Sequence, residues 1–374
     1  MTLTRNLKPG TVKLRTIKME QEAFILLNGE KFDRDQIARS LEKETLSEWE
    51  RELYLFLNEW FSESTYIMAQ TSGSTGKPKT IELPKYIMQK SARRTIEYFN
   101  LQQTDTLLLS LPCRYIAGKM MVVRAIVGKM NLVTVDPTTD FGFLNHQIYD
   151  LGALVPNQVI KILELPLGEQ KLQNIRNLLV GGSAISAKLE SKLMLLNSRI
   201  VSTYGMTETA SHIALRELSG QLRSDLYHCL PGIWVSLQEN GCLQVHLPEF
   251  GETLKTNDLA ELQSSTSFRI LGRSDSVIIS GGIKYSPETI EKKLHKLILH
   301  PFVISSVPDI KLGERIVLVI EGNRSDTKEL EEKIRSTLSP FEQPKAIVFV
   351  QQFPLTESGK IKRGELMQII QRVQ

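Results

Sequence analysis

Apolar positions along the chain change period repeatedly, and those changes mark out its elements. Residues 86–99 carry apolar side chains at helical spacing, whereas 106–111 (TLLLSL) is a continuous apolar run of the kind that fills a buried strand. The alternation continues through helix 115–128, strand 132–135, strand 151–155, helix 157–163, strand 178–180, helix 187–196 and strand 199–203. Strands alternating with helices of this length predict an α/β fold, a sheet with helices on its faces. After Leu230 the texture shifts. Residues 233–237 and 242–247 alternate around Asn240-Gly241, a hairpin signal, because both residues tolerate the positive φ of a tight turn. Beyond Gly272 the pattern gives helix 287–297, strands near Ile304 and at 316–320, and helix 327–338. The chain therefore reads as a large domain, 1–272, of mixed sheets and flanking helices, followed by a small α+β domain, 273–374. No internal repeat or low-complexity segment interrupts it.

Composition adds little to fold but restricts partners. Of 374 residues, 41% are apolar and 24% charged, enough material for two cores. The net charge of +4 suits an anionic small ligand and is too diffuse for nucleic acid. Three cysteines, Cys113, Cys229 and Cys242, form no CxxC pair and read as reduced thiols of a cytoplasmic protein. Six histidines form no HExxH or other tight cluster, and no GxSxG elbow is present. The amino terminus lacks the apolar core of a signal peptide. The most apolar stretch, 120–127, is interrupted by Arg124 and is too short to span a bilayer, so no transmembrane segment is expected.

The candidate chemistry starts at residues 71–79, TSGSTGKPK. Gly73 and Gly76 let the backbone turn its N–H groups toward a ligand. Thr71, Ser72, Ser74 and Thr75 add hydroxyl donors, and Lys77 and Lys79 add positive charge, a combination that suits phosphate. It is not a Walker A loop, since two residues rather than four separate the glycines and Pro78 follows the lysine. Residues 202–208, STYGMTE, follow strand 199–203 and so fall at its carboxyl end, where open α/β sheets bind ligands. There Tyr204 offers a flat face for a base, Gly205 a close turn, Thr207 a hydroxyl for phosphate and Glu208 a hard oxygen for Mg²⁺. Taken alone, Tyr204 is as readily a core aromatic and Glu208 a solvated helix start.

These two segments resemble the phosphate loop and the YGMTE motif of the acyl-adenylate-forming superfamily, which holds acyl-CoA synthetases, luciferases and peptide-synthetase adenylation domains. Three further segments follow in that family's order, over about residues 66 to 365. Thr256-Asn-Asp258 resembles its Thr-Gly-Asp, so Asp258 is expected to accept from ribose hydroxyls, with Asn257 supplying the left-handed turn in place of Gly. Gly272-Arg-Ser-Asp275 with Ser280-Gly-Gly282 resembles its hinge. The resemblance implies that Arg273 reaches ribose or phosphate, that Asp275 is the pivot, and that Gly281 and Gly282 border the coenzyme A arm. Residues 353–363, FPLTESGKIKR, resemble the carboxy-terminal segment holding the family's catalytic lysine, here Lys360 and not Lys362. The region before the phosphate loop is shorter than in most members. The resemblance implies a carboxylic acid, ATP with Mg²⁺, and then coenzyme A as successive partners, with a mobile small domain carrying Lys360. An acid–CoA ligase for an aryl or short-chain acid, a free-standing adenylation enzyme serving a carrier protein, and a non-catalytic nucleotide sensor are the readings that compete. The presence of Glu208, Asp258 and Lys360 weighs against the sensor.

The acid is addressed by fewer residues. Residues 111–128 correspond to the family segment that lines the acyl pocket, with Gly118 leading into its helix, and Gly182 and Ser183 would lie between nucleotide and acid. Arg124 sits within the apolar run MMVVRAIV. A charge there is costly unless it meets an anion. Two readings stay open: an Arg on the outer face or paired internally, or one that recognises a second carboxylate on the substrate.

Overall fold

The computed structural model describes residues 24–70, 79–137, 141–145, 147–251, 253–298, 300–323, 327–355 and 361–373. Five strands form a parallel block: Asn131–Thr134, Thr106–Leu109, Tyr149–Leu154, Ile175–Val180 and Arg199–Gly205, in that spatial order. Helices Lys85–Phe99, Ile116–Gly128, Pro156–Glu164 and Ala187–Leu193 accompany them, each within a few residues of its expected position. Asn100 ends the first of these and Lys129 the second, both with left-handed backbone (φ 51° and 54°). At one edge the parallel block takes on the hairpin Phe24–Leu27 and Glu30–Asp33. The hairpin leads into helix Arg34–Leu41 through a reciprocal cap. Asp33 accepts from the Gln36 amide, and Gln36 in turn accepts from the Asp33 amide.

At its other side the sheet changes character. Strand Arg199–Gly205 pairs antiparallel with His212–Glu217, and Tyr227–Cys229, Ser267–Arg273, Thr253–Ser264, Cys242–His246 and Trp234–Leu237 follow, giving one sheet of thirteen strands. The expected hairpin about Asn240-Gly241 is present, with Gly241 at φ 79°. Strands His212–Glu217, Tyr227–Cys229, Thr253–Ser264 and Ser267–Arg273 have no counterpart in the sequence pattern. The expected left-handed turn at Asn257 is corrected. Asn257 lies inside the continuous strand Thr253–Ser264 and is not among the positive-φ residues. Pairing on both sides, Cys242 opposite Leu259 and Asp258 opposite Arg273, keeps this segment within the sheet. The irregularity is absorbed as register shifts: Asn257 falls between Lys255, opposite Gln244, and Leu259, opposite Cys242, and the other flank shifts between Leu259 and Ala260.

A second sheet follows. Ile278–Ser280, Ile283–Tyr285, Phe302–Asp309, Gly313–Glu321 and Ala346–Val350 form five strands, with Ala346–Val350 parallel to Gly313–Glu321 and the rest antiparallel. Helices Pro287–Leu294, Lys328–Thr337 and Arg363–Val373 pack on it, the first two around a core that includes Ile290, Leu294, Ile304 and Ile334. Within that helix layer Glu291 accepts from the Ile304 amide at 2.8 Å. Burial pushes its carboxyl up to about 7, against the opposing pull of Arg363. A carboxyl raised in the folded state favours folding below its unfolded pKa, and that advantage is lost as pH rises from about 4.5 through 7. Glu291→Gln, which keeps the acceptor, is expected to remove about 1–3 kcal/mol of this pH-dependent loss. Thermal melts at pH 5 and pH 8 check it: the drop in Tm between them should shrink in the variant.

Candidate active site

The parallel block ends its fifth strand on Tyr204 and Gly205, so the strand runs two residues further than the pattern indicates. Thr207 and Glu208 open a short 3₁₀ turn just past it, and Glu208 is exposed. Ala210 closes this turn in a left-handed conformation, φ 62°, which an alanine adopts only under constraint. The chain then doubles back as His212–Glu217, so tightly that a Cβ on Gly205 would overlap the Ser211 carbonyl and come within 2.6 Å of the His212 Cα. Gly205 is therefore a glycine of necessity. The neighbouring strand end carries Gly181, Gly182 and Ser183. A side chain on Gly181 would overlap the Thr203 hydroxyl, and Gly182 has φ 87°.

Four of the expected residues meet in one network. The Tyr204 hydroxyl donates to Asp258 Oδ2 at 2.6 Å, and Arg273 Nη1 donates to Asp258 Oδ1 at 3.2 Å. Arg273 also donates to both oxygens of Asp275, from Nε at 2.8 Å and from Nη2 at 2.6 Å. Cross-strand pairing of Asp258 with Arg273 brings them together. Burial and the Asp258 carboxylate raise the Tyr204 hydroxyl far above its ordinary value, and the Arg273 fork lowers Asp275. Asn257 contributes here too: its carbonyl accepts from the Ser274 amide, and its side chain helps to lower Asp275. Tyr204 meets Phe268 edge-to-face, centroids 5.2 Å apart, so its ring is both core and site wall.

The structure answers one open question about Arg124. The residue is 2% exposed, and its whole turn, from Gly118 to Ala125, is buried. It is not on an outer face, and no carboxylate among the described residues pairs with it. Nη2 donates to Ser211 Oγ at 2.7 Å, and burial pulls the guanidinium down to about 9, leaving it charged at neutral pH. Through Ser211 and His212 this cation stands against the strand end that carries the Tyr204–Glu208 motif. Gly118 begins the turn so close to Leu111 and Pro112 that a Cβ would overlap the Pro112 carbonyl. Ser211, His212 and Thr95 belong to this site and have no motif of their own. The one signal, for Ser211 and His212 alone, is a polar pair two residues beyond the motif, at the head of an apolar strand.

Other expected residues stand apart from the network. Gly281 and Gly282, with φ 58° and 79°, turn the small hairpin Ile278–Tyr285, which by itself accounts for two glycines. Lys79 is exposed at the start of strand Thr80–Pro84. The expected phosphate-loop residues 71–77, and Lys360, lie outside the described residues. Beside the latter, Leu355 and Ile361 form a bridge, and Lys362 pairs with Glu365 at 2.9 Å. Among the described residues no group of three His, Cys, Asp or Glu could hold a metal, and no helix is long and apolar enough to cross a membrane. Mg²⁺ needs neither such a group nor more than one or two carboxylates when phosphates supply the rest, and exposed Glu208 meets that requirement.

Residues 18–235 match the AMP-binding enzyme family and residues 296–360 match the AMP-binding enzyme C-terminal domain. The chain belongs to the AMP-binding enzyme family. It is an AMP-forming acid–CoA ligase, using ATP, Mg²⁺ and coenzyme A on a carboxylic acid. It is 25% identical to a 2-succinylbenzoate–CoA ligase of Lactococcus lactis over 81% of this chain and 71% of that protein. To the 2-succinylbenzoate–CoA ligase of Escherichia coli it is 28% identical, over 82% and 69%. A solved acyl-CoA synthetase (AMP-forming)/AMP-acid ligase II-like protein from Dyadobacter fermentans is 33% identical, with 90% and 98% covered and a TM-score of 0.59.

Proposed function

We propose that the acid is 2-succinylbenzoate and that the protein is a 2-succinylbenzoate–CoA ligase of menaquinone biosynthesis in the cytoplasm. The observation that carries this reading is Arg124: a fully buried cation with no carboxylate partner among the described residues, beside the Tyr204–Glu208 strand end. Such a charge is retained where an anion comes to meet it. 2-Succinylbenzoate has two carboxylates, one to be activated and one, on the ring, to be recognised. The Ile116-Ala-Gly118 segment followed six residues later by Arg124, and the Ser280-Gly-Gly282 turn, resemble the ligases of this acid. The relatives named for it in Lactococcus lactis and Escherichia coli support the same choice.

In this reading the succinyl carboxylate attacks the α-phosphorus of ATP and pyrophosphate leaves. The thiolate of coenzyme A then attacks the acyl carbon and AMP leaves. Residues 71–77 and Lys79 hold phosphates, with Thr207 adding a hydroxyl, and Glu208 would hold Mg²⁺, whose charge offsets that of the phosphates. Asp258 and Arg273 take the ribose, Tyr204 and Gly205 flank the base, and Gly118, Gly182 and Ser183 border the acid. Lys360 bridges carboxylate and α-phosphate, so in-line positioning and charge neutralisation are the protein's main tasks. Asp275 is the pivot between a domain of residues 1–272 and one of 273–374, and rotation there brings Gly281 and Gly282 to the thiol arm.

CoA-dependent release of AMP and pyrophosphate across 2-succinylbenzoate, benzoate and medium-chain fatty acids tests the proposal. At least a hundredfold preference in kcat/KM for 2-succinylbenzoate is expected. Turnover of another acid at comparable rate retires this substrate and keeps the reaction.

A further inference from the structure

The partners that hold the Arg124 guanidinium are uncharged. Besides the bond to Ser211, Nη2 lies 3.5 Å from His212 Nδ1, Nη1 reaches the Met121 sulfur at 3.5 Å, and Nε has no partner among the described residues. The far side of the imidazole fixes which of its nitrogens carries the proton. Thr95 gives its single hydroxyl proton to the Ser91 carbonyl at 3.3 Å, so at 3.0 Å it accepts from His212 Nε2. Nδ1 is then the lone pair, and it faces the guanidinium. Burial, and next the Arg124 charge, drive the imidazole's proton affinity well below its usual value, so the ring stays neutral.

A carboxylate in place of any of these groups would hold Arg124 more tightly and would cancel its charge. A hydroxyl, a thioether and a neutral imidazole fix the plane of the fork and leave the positive charge for something else. The arrangement is also tied to the strand end, because His212 pairs with Gly205 across the sheet. Helix Lys85–Phe99, through Thr95, anchors it from behind.

We infer that Ser211 and His212 are positioning residues for acid recognition, an uncharged cradle that orients Arg124 toward the second carboxylate of the acid without neutralising it. The inference rests on the dicarboxylate reading given above, and its test separates the two. kcat/KM is measured for 2-succinylbenzoate and for the same keto acid on an unsubstituted ring, and their ratio is the readout. Ser211→Asp puts a carboxylate against Arg124 and is expected to lower the ratio about 30-fold. His212→Phe keeps a ring but loses the acceptor, for a loss of about fivefold, and His212→Gln, which restores an acceptor, recovers most of it. Should Ser211→Asp fail to fold, Ser211→Ala is expected to lower the ratio about fivefold. Combined with Arg124→Met, none of these substitutions moves the ratio further. Equal losses for both acids, or undiminished effects in the Arg124→Met background, overturn the cradle. A ratio lowered by Arg124→Met alone, with the Ser211 and His212 variants at the wild-type value, overturns it too while sparing the role of Arg124. A ratio unmoved by Arg124→Met overturns both.

Discussion

Lys360→Ala is expected to slow formation of the acyl-adenylate by about 100- to 1,000-fold, the usual cost of one donor aimed at a transition-state oxyanion. The reaction drives a carboxylate onto the phosphorus of a polyanion, so the unfavourable term is repulsion between like charges at short range. An ammonium that touches both partners removes much of it, and little else on the chain can replace one. Lys362, two residues on, is engaged with Glu365 and is not a substitute. The second half-reaction makes no such demand, because the acyl-adenylate already carries a good leaving group. With acyl-adenylate supplied, the variant should therefore form thioester at close to the wild-type rate. Pyrophosphate exchange and single-turnover thioester formation, measured side by side, distinguish this from general damage: equal loss in both steps would remove Lys360 from its assigned role.

Arg124→Met is expected to do two opposite things at once. It should lower kcat/KM for 2-succinylbenzoate by about 100-fold or more, because the ring carboxylate then enters a desolvated site with no cation to meet it. The analogue without a ring carboxylate should be affected far less. The same substitution should leave the fold as stable as before or more so, by up to about 1–4 kcal/mol, because an apolar side chain of similar length replaces a buried charge that no carboxylate among the described residues neutralises. Ser211 and His212, losing a donor, offset part of that gain. A thermal melt beside the kinetics decides it. A large fall in Tm would mean that the guanidinium serves the architecture instead of the substrate.

The parallel half of the sheet was readable because each strand is a short apolar run and each helix an amphipathic one, so that period alone separates them. Of the antiparallel half, the hairpin about Asn240-Gly241 was readable and the strands around it were not. Strand Thr253–Ser264, with sequence TLKTNDLAELQS, is polar on its exposed side and contains the turn formers Thr, Asn and Asp. Only pairing on both flanks makes it a strand, and local pattern cannot carry that information. His212–Glu217 was hidden for a related reason, since its His and Glu are buried with partners on other elements, His212 with Thr95 and Glu217 with Arg199. Motifs named Tyr204, Asp258, Arg273 and Asp275 as members of a site. They did not show that a single guanidinium links the two carboxylates or that the tyrosine bonds to one of them. For Arg124 the sequence leaves inside or outside open, because a helix apolar on every side has no period that tells one face from another; burial at 2% exposure decides it. Ser211 and His212 had no spacing to betray them.

The helix from Ile116 to Gly128 has a further consequence, for how this protein changes over generations. An ordinary amphipathic helix accumulates neutral substitutions on its wet side. The stretch from Gly118 to Ala125 has no wet side, since each of its residues is buried. Gradual drift toward a different acid is closed to it, because almost any change of volume there disturbs the core. What remains open is the exchange of Arg124 for an apolar residue of similar size, which packing tolerates and which, on the role proposed for Arg124, discards one class of substrate in a single step. Acid preference built on such a helix is expected to shift in jumps, with no graded series of intermediates between an enzyme for a diacid and one for a monoacid.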